Sequence, residues 1–511
     1  MPSSFASFLE KSKTYQTIPI TKCYKIDTFT PIRLFQALKK DAVYLLESHD
    51  ESSSWSRYSF IGLNPIYTIK EEKDAFIMKD RKGKELHRTD CFPDIFRFSE
   101  ERLKAAVPDL PLPFTGGAVG YISYDAVSLF EQLPLHRESE AHSSKCELVI
   151  CETIAAYDHI EKELSFISYI SLEGAKEEKA LRQKYDEAEN KLDGYLQQLK
   201  NENQADSIFL PPIERAAADF SAVDSNYTKQ EFTKIVEKIQ EYIHAGDIFQ
   251  GVLSQKFSVP ISISGFDLYR ILRNVNPSPY LFYLKTGDGE LVGSSPERLI
   301  HAADGHLEIH PIAGTRKRGE TKEEDDRLCR ELLHDEKERA EHLMLVDLAR
   351  NDIGKAAEYH SVKTDHFMEP VFFSHVMHLL SKVTGRLKKG THPAEALMAA
   401  FPAGTVSGAP KIRAMEILKE LENEPRGQYA GCVAYIGFDG NIDSCITIRT
   451  AAIKDGKAYV QAGAGIVADS VPELEYEETQ NKASALLKAI ELAEAYFREE
   501  DSHEIHSQAG Y

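Results

Sequence analysis

Two Glu-x-x-Glu pairs, Glu338/Glu341 and Glu475/Glu478, lie far apart in a chain of 511 residues, each on a segment with helical apolar spacing. In Asp335–Asp352 the spacing 338, 341, 345, 348 puts both carboxylates on the stripe carrying Leu345 and Leu348. In Pro472–Phe497 the spacing 475, 478, 482, 486 does the same and ends at Leu486. Carboxylates turned toward a core are costly unless paired or bound to a cation. Oxygen donors from two helices suit a hard cation such as Mg2+, which takes few protein ligands and completes its shell with substrate and water. Two solvated faces of acidic helices would give the same spacing.

Other side chains could complete such a site. If Ile442–Arg449 is a strand, Arg449 shares its polar face with Asp443, Cys445 and Thr447, where a guanidinium could fork a carboxylate or join a surface ion pair. Glycines in Gln461-Ala-Gly-Ala-Gly465 would let backbone N–H groups approach ligand oxygens, or make a simple turn. Ala313-Gly314-Thr315 has the same two readings. Phe401–Lys411 (FPAGTVSGAPK) is rich in small residues but lacks the Gly-Lys-Ser/Thr ending of a phosphate loop. It reads as a pocket-shaping loop with Thr405 as donor and Pro410 at a helix start. His378, among apolar neighbours, is either a core histidine or a general acid/base.

The elements that must position these groups follow from periodicity and turn signals. Up to about residue 170, short strand-like runs (58–62, 66–70, 75–79) alternate with turns, including a tight one at Asp80–Lys84. A charged helical stretch, 173–200, leads to a Pro-containing, small and polar segment, 201–224. That segment is taken as the boundary between an N-terminal region of residues 1–200 and a C-terminal region of residues 225–500. The C-terminal region is expected to hold helices at 229–244, 267–274, 325–350, 394–400 and 411–422. Strands are expected at 249–259, 280–285, 430–438, 444–453 and 457–463, followed by a long final helix and a frayed tail over 501–511. This mixed order with hairpins makes the fold α+β with large antiparallel sheets. Gly117–Asp125 (GAVGYISYD) echoes Gly431–Asp439 (GCVAYIGFD), hinting at related sheets in the two regions.

A net charge of −20 disfavours nucleic acid as a partner. No segment approaches the roughly 18 apolar residues of a membrane span, and no N-terminal apolar stretch follows a basic start. Seven scattered cysteines without a Cys-x-x-Cys pair read as reduced thiols of a cytoplasmic protein.

Taken together, Leu45–Ser48, Asn276–Tyr283, Gly293–Arg298, Pro311–Arg316, Glu341–Asp352, Phe401–Lys411 and Glu473–Ala483 resemble the motifs of the chorismate-utilising enzymes, and within them the anthranilate-forming branch. The resemblance runs over about residues 40–495. It implies antiparallel sheets in a sandwich flanked by outer helices. It also implies conversion of chorismate and ammonia to anthranilate and pyruvate, the first committed step of tryptophan biosynthesis. Glu341 and Glu478, with Glu475 close by, match Mg2+ ligands. Gly314, Thr315, Tyr429, Arg449, Gly463, Ala464 and Gly465 match chorismate contacts, with Lys482 in reach. His378, Thr405 and Glu338 match active-site positions, and Ser48, Pro279, Tyr280 and Leu281 match a tryptophan feedback site in the N-terminal region and beside it. Isochorismate-forming relatives carry Lys at the place of Gln250, and aminodeoxychorismate-forming ones carry Lys at the place of Ala313. Both absences favour ammonia attack at C2 over those outcomes. No glutaminase nucleophile turn is visible, so a separate glutamine amidotransferase subunit would supply ammonia within a heterodimer or heterotetramer. Aminodeoxychorismate synthase component I is the alternative.

Overall fold

A computed structural model of the chain describes residues 4–49, 57–131, 133, 144–175, 177–201, 218–372 and 376–508. Among them, twenty-two strands join through antiparallel ladders into one connected sheet system. Alternation of side chains along each strand sets the layers. Tyr44, Phe60, Tyr121, Phe282, Leu291 and Tyr435 point inward and form a core between two sheet faces. Their neighbours Leu45, Ile61 and Val292 point outward under the helices Pro31–Ala37, Glu178–Asn201, Gly265–Val275 and Pro472–Gln508. On the other side Ala118, Ile122, Ala434 and Ile436 face the helices Phe92–Leu103, Glu336–Ala356 and Pro393–Ala400. The result is helix, sheet, sheet, helix: the α+β antiparallel sandwich expected from the sequence.

The two regions share their sheets. Strand Ala42–Glu47 pairs with Tyr280–Thr286, and Gly117–Ile122 pairs with Cys432–Gly437. The echoing segments therefore lie side by side, with Gly120 opposite its counterpart Ala434, as a local two-fold would place them. The repetition extends further. Gly62 lies opposite Tyr44 and Gly293 opposite Phe282, and at both places a Cβ would stand 2.1 Å from the facing ring. Glycine is required twice for the same reason: an aromatic ring from the next strand lies over the backbone. Each glycine is followed three residues later by proline, Pro65 and Pro296.

Three expectations change. The helix expected over 325–350 is two, Lys322–His334 and Glu336–Ala356, because Asp335 turns its carboxylate back onto the Lys337 and Glu338 amides at 3.0 and 3.1 Å. Such a cap stabilises a helix start by about 1 kcal/mol. The strand expected over 444–453 is interrupted between Ile442–Ile446 and Thr450–Lys454. The final helix continues to Gln508 through the stretch expected to fray; 509–511 and 202–217 of the expected boundary lie outside the described residues. All seven cysteines are unpaired, and among the described residues no helix is long and apolar enough to cross a membrane.

Candidate functional site

The site begins where the second half departs from the first. In the first half Ile66, after Pro65, is the extra residue of a bulge, and its strand runs on as Tyr58–Glu72. At the matching place the second half breaks into Gly289–Ser295 and Arg298–Ala303, and the residue after Pro296 is Glu297. The adjoining strand, continuous in the first half as Cys146–Asp158, is broken at Thr447–Arg449. The two breaks are stitched together: the Ile446 amide donates to the Glu297 carbonyl at 3.0 Å and the Ser294 amide to the Arg449 carbonyl at 3.1 Å. Arg449 takes a left-handed backbone, φ 52°, so it leaves the strand face on which the sequence placed it. Its guanidinium is directed to the final helix, where Nη1 donates to the Lys482 carbonyl.

Glu297 was not singled out as a functional residue by sequence reasoning. Burial of its carboxyl raises its pKa to about 7, opposed by the Thr405 hydroxyl and the Lys482 ammonium. The Thr405 hydroxyl is buried with no partner at hydrogen-bonding geometry among the described residues, and it lines the same small cavity as Glu297. A proline inside a strand-like run followed by an acid was the available signal. Glu297, Thr405, Leu345 and Leu348 line one small cavity, so the loop expected to shape a pocket does so.

The acid pairs meet across a cleft between the helices Glu336–Ala356 and Pro472–Gln508, but they line it instead of entering a core. Glu341 and Glu478 are exposed, Glu338 and Glu475 half-buried. Although Glu341 is an exposed residue, protein massed around its carboxyl, then Glu338, then Glu478 more weakly, push its pKa up. Glu475 is raised by burial and by Glu478, against a hydrogen bond from Ser470. Lys482 lies 2.6 Å from Glu478 and donates to the Gly463 carbonyl at 2.9 Å. Glu338 is engaged by Arg316 at 3.2 Å. No three metal-ligating side chains come together among the described residues, so the expected set of Glu341, Glu475 and Glu478 is not formed as a cluster. What fits a hard cation is the pair Glu341 and Glu478, two oxygen donors whose repulsion a divalent ion would relieve.

The glycine runs have distinct jobs. Gly463, Ala464 and Gly465 are strand, not turn, paired with Ser254, Leu253 and Val252. Beyond Val460 their other edge has no partner strand among the described residues. A Cβ at Gly463 would stand 2.6 Å from the Tyr429 hydroxyl, and one at Gly465 2.5 Å from the Gln250 amide nitrogen. These glycines thus admit Tyr429 and Gln250 to the wall. Gly314 sits at a register shift with φ 71°, facing Glu338. Its carbonyl lies 2.8 Å from His378 Nδ1, and Thr315 Oγ1 lies 3.1 Å away. A carbonyl accepts only, so Nδ1 carries the proton and Nε2 is the basic nitrogen.

Ser48, Pro279, Tyr280 and Leu281 also come together, because Glu47 pairs with Leu281 and the His49 amide donates to the Ser278 carbonyl at 3.0 Å. The Ser48 hydroxyl is buried without a hydrogen-bond partner among the described residues. The Tyr280 hydroxyl donates to Asp443 at 3.1 Å and accepts from Arg298, next to Glu297, at 2.7 Å.

The family model for chorismate binding enzymes matches residues 41–488. Anthranilate synthase component 1 of Bacillus subtilis is 55% identical over 500 residues, 98% of this chain and 97% of that protein. The protein of the same name from Geobacillus stearothermophilus is 52% identical over 495 residues, 96% of this chain and 97% of its own. The crystal structure of anthranilate synthase component I from Streptococcus pneumoniae superposes with a TM-score of 0.72 at 38% identity, covering 86% of this chain and 94% of that one. The menaquinone-specific isochorismate synthase of Escherichia coli shares the fold at 17% identity, with a TM-score of 0.67 over 95% of this chain and 98% of that one. A match over most of the length, with Glu341, Arg449 and Gly463–Gly465 around one cleft, means that this chain belongs to the chorismate-binding enzyme family.

Proposed function

We propose that this chain is the large component of an anthranilate synthase. It converts chorismate and ammonia to anthranilate, pyruvate and water, the first committed step toward tryptophan. Ammonia comes from a glutamine amidotransferase subunit in a cytoplasmic hetero-oligomer, and tryptophan bound near Ser48, Pro279, Tyr280 and Leu281 inhibits the enzyme.

The observation that carries the reading is the Glu297 carboxyl, which lines a small, largely apolar cavity with Thr405, Leu345 and Leu348, has its pKa raised to about 7 by burial, and feels the Lys482 ammonium beside Glu478. Chorismate has two carboxylates and a hydroxyl that must leave. Arg449, the Lys482 ammonium and the open strand edge at Gly463–Gly465 suit one carboxylate. A Mg2+ ion held by Glu341 and Glu478 would neutralise the other. As ammonia adds at C2 and the ring double bonds shift, the C4 oxygen departs as water, taking the proton that Glu297 holds near neutral pH. Thr405 keeps that carboxyl aimed. His378, with Nε2 basic, is suited to accept the C2 proton when pyruvate is eliminated and the ring becomes aromatic. Glutamine at 250 and alanine at 313 offer no amine to activate water or to attack the ring, which favours this outcome over isochorismate or aminodeoxychorismate.

Incubating the purified chain with chorismate, Mg2+ and ammonium tests the proposal. Anthranilate fluorescence with an equal yield of pyruvate is expected; a non-aromatic amino product without pyruvate would overturn it in favour of aminodeoxychorismate synthesis.

A further inference from the structure

Behind the wall of the cleft lies a buried guanidinium, that of Arg426. Arg426 is buried with 1% of its side chain exposed, against Glu422 at 8%. Its Nε and Nη2 fork Glu422 at 2.8 Å each, Nη1 donates to the Val406 carbonyl at 2.7 Å and Nη2 to the Val252 carbonyl at 2.6 Å. The guanidinium carbon lies 4.5 Å from the Tyr124 ring centre and 5.8 Å from that of Tyr429. Glu422 also accepts from the Ser254 amide and hydroxyl at 3.1 and 2.8 Å. One ion pair thus ties together three pieces of the cleft that the chain delivers separately. Val406 follows Thr405; Val252 pairs with Gly465; Tyr429 fills the space left by Gly463.

We infer that Arg426, gripped by Glu422, is a positioning residue that sets Thr405 against Glu297 and holds Tyr429 and the Gly463–Gly465 strand in register. The inference rests on the proposed reaction. Buried ion pairs add little net stability compared with apolar pairs of similar volume. What this pair supplies is geometry: a planar fork with fixed directions, which neither lysine nor a hydrocarbon reproduces. Misplacing a reacting group by about 1 Å costs on the order of 100-fold in rate.

The test is the double variant Arg426→Met/Glu422→Met, which removes both charges together, alongside Glu422→Gln, which keeps the shape of the pair. Turnover is measured at saturating chorismate and fixed free ammonia across pH, with circular dichroism and melting on the same samples. Expected are folded variants whose kcat falls about 100-fold in the double variant and whose alkaline activity limb moves upward as Thr405 loses its hold on Glu297. A folded double variant, or a folded Glu422→Gln variant if the double one does not fold, that keeps kcat within about twofold and an unmoved limb would overturn the inference. A parent enzyme that forms no anthranilate would instead overturn the proposed function.

Discussion

The Lys482 ammonium sits 2.6 Å from a Glu478 carboxylate oxygen, one helical turn away, and acts on Glu297, Glu341 and Glu475 as well. Lys482 thus serves four acids drawn from three elements, helped at Glu341 and Glu475 by Lys337. Glu478 and Glu341 are left with a deficit of positive charge that a divalent ion would make good. Glu478→Ala is expected to lower Mg2+-dependent anthranilate formation by at least about 100-fold, a loss that even the supporting groups of metal sites can produce. Its melting temperature should stay close to the parent's. Undiminished turnover across a Mg2+ titration would remove Glu478 from the metal site.

Glu297 carries opposite consequences for rate and stability. Glu297→Gln should lower kcat by about 10²- to 10⁴-fold, the usual worth of a positioned acid. In the parent, at constant free ammonia, activity should fall as pH rises through about 7, where Glu297 loses its proton. The same carboxyl has a folded pKa above its unfolded value, so the folded state binds its proton more tightly. Its contribution to stability is therefore present at low pH and is lost between the ordinary carboxylate range and about 7. Above that window Glu297→Gln should be more stable than the parent, by up to about 3 kcal/mol. Urea unfolding of both proteins at pH 5 and pH 8 measures the difference; a variant equally stable or weaker at pH 8 contradicts the buried-acid account.

Ser48→Phe fills the space beside an unsatisfied buried hydroxyl with a ring. Turnover should survive, because Ser48 is separated from the acid cleft by Tyr280 and Arg298. Inhibition by tryptophan should weaken by tenfold or more (about 1.4 kcal/mol or more of lost binding). A variant inhibited like the parent would refute the proposed feedback site.

Lys411 and Asp352 form a second buried pair, 2.8 Å apart with 9% and 6% of their side chains exposed. Burial lowers the lysine pKa and raises that of the aspartate, each partly offset by the other. Lys411→Met alone leaves Asp352 uncompensated and should cost about 3–5 kcal/mol in urea unfolding. Lys411→Met/Asp352→Leu should recover most of that loss. A double variant as weak as the single one would mean that the Lys411 bond to the Ala400 carbonyl, not the charge pair, holds the loop.

The sequence made the elements legible wherever one local rule decided them. Periodicity marked Lys229–His244 and Lys411–Leu421 within a residue or two, and turn residues marked the Asp80–Lys84 hairpin. It misread Arg449 because extending a strand pattern cannot show that the next strand is also broken, at Pro296–Glu297; each break is held by the other. It counted a pair of acids in register on each of two helices but could not show that Glu338 is claimed by Arg316, a contact set where the strand Ile312–Lys317, paired with Val376–Arg386, packs onto the helix. Glu297 stayed unnoticed because its chemistry comes from burial, much of it by residues distant in sequence such as Leu345 and Leu348 on a helix and Thr405 more than a hundred residues away.

The pairing of Gly117–Ile122 with Cys432–Gly437 has a bearing on how the molecule is made. On a ribosome, the earlier strand emerges some three hundred residues before its mate, and until then its backbone N–H and C=O groups on that side stay open to water or to a stranger's strand. Neither sheet is complete without strands from both regions, so closing them depends on contacts of long sequence separation, the kind that slows folding.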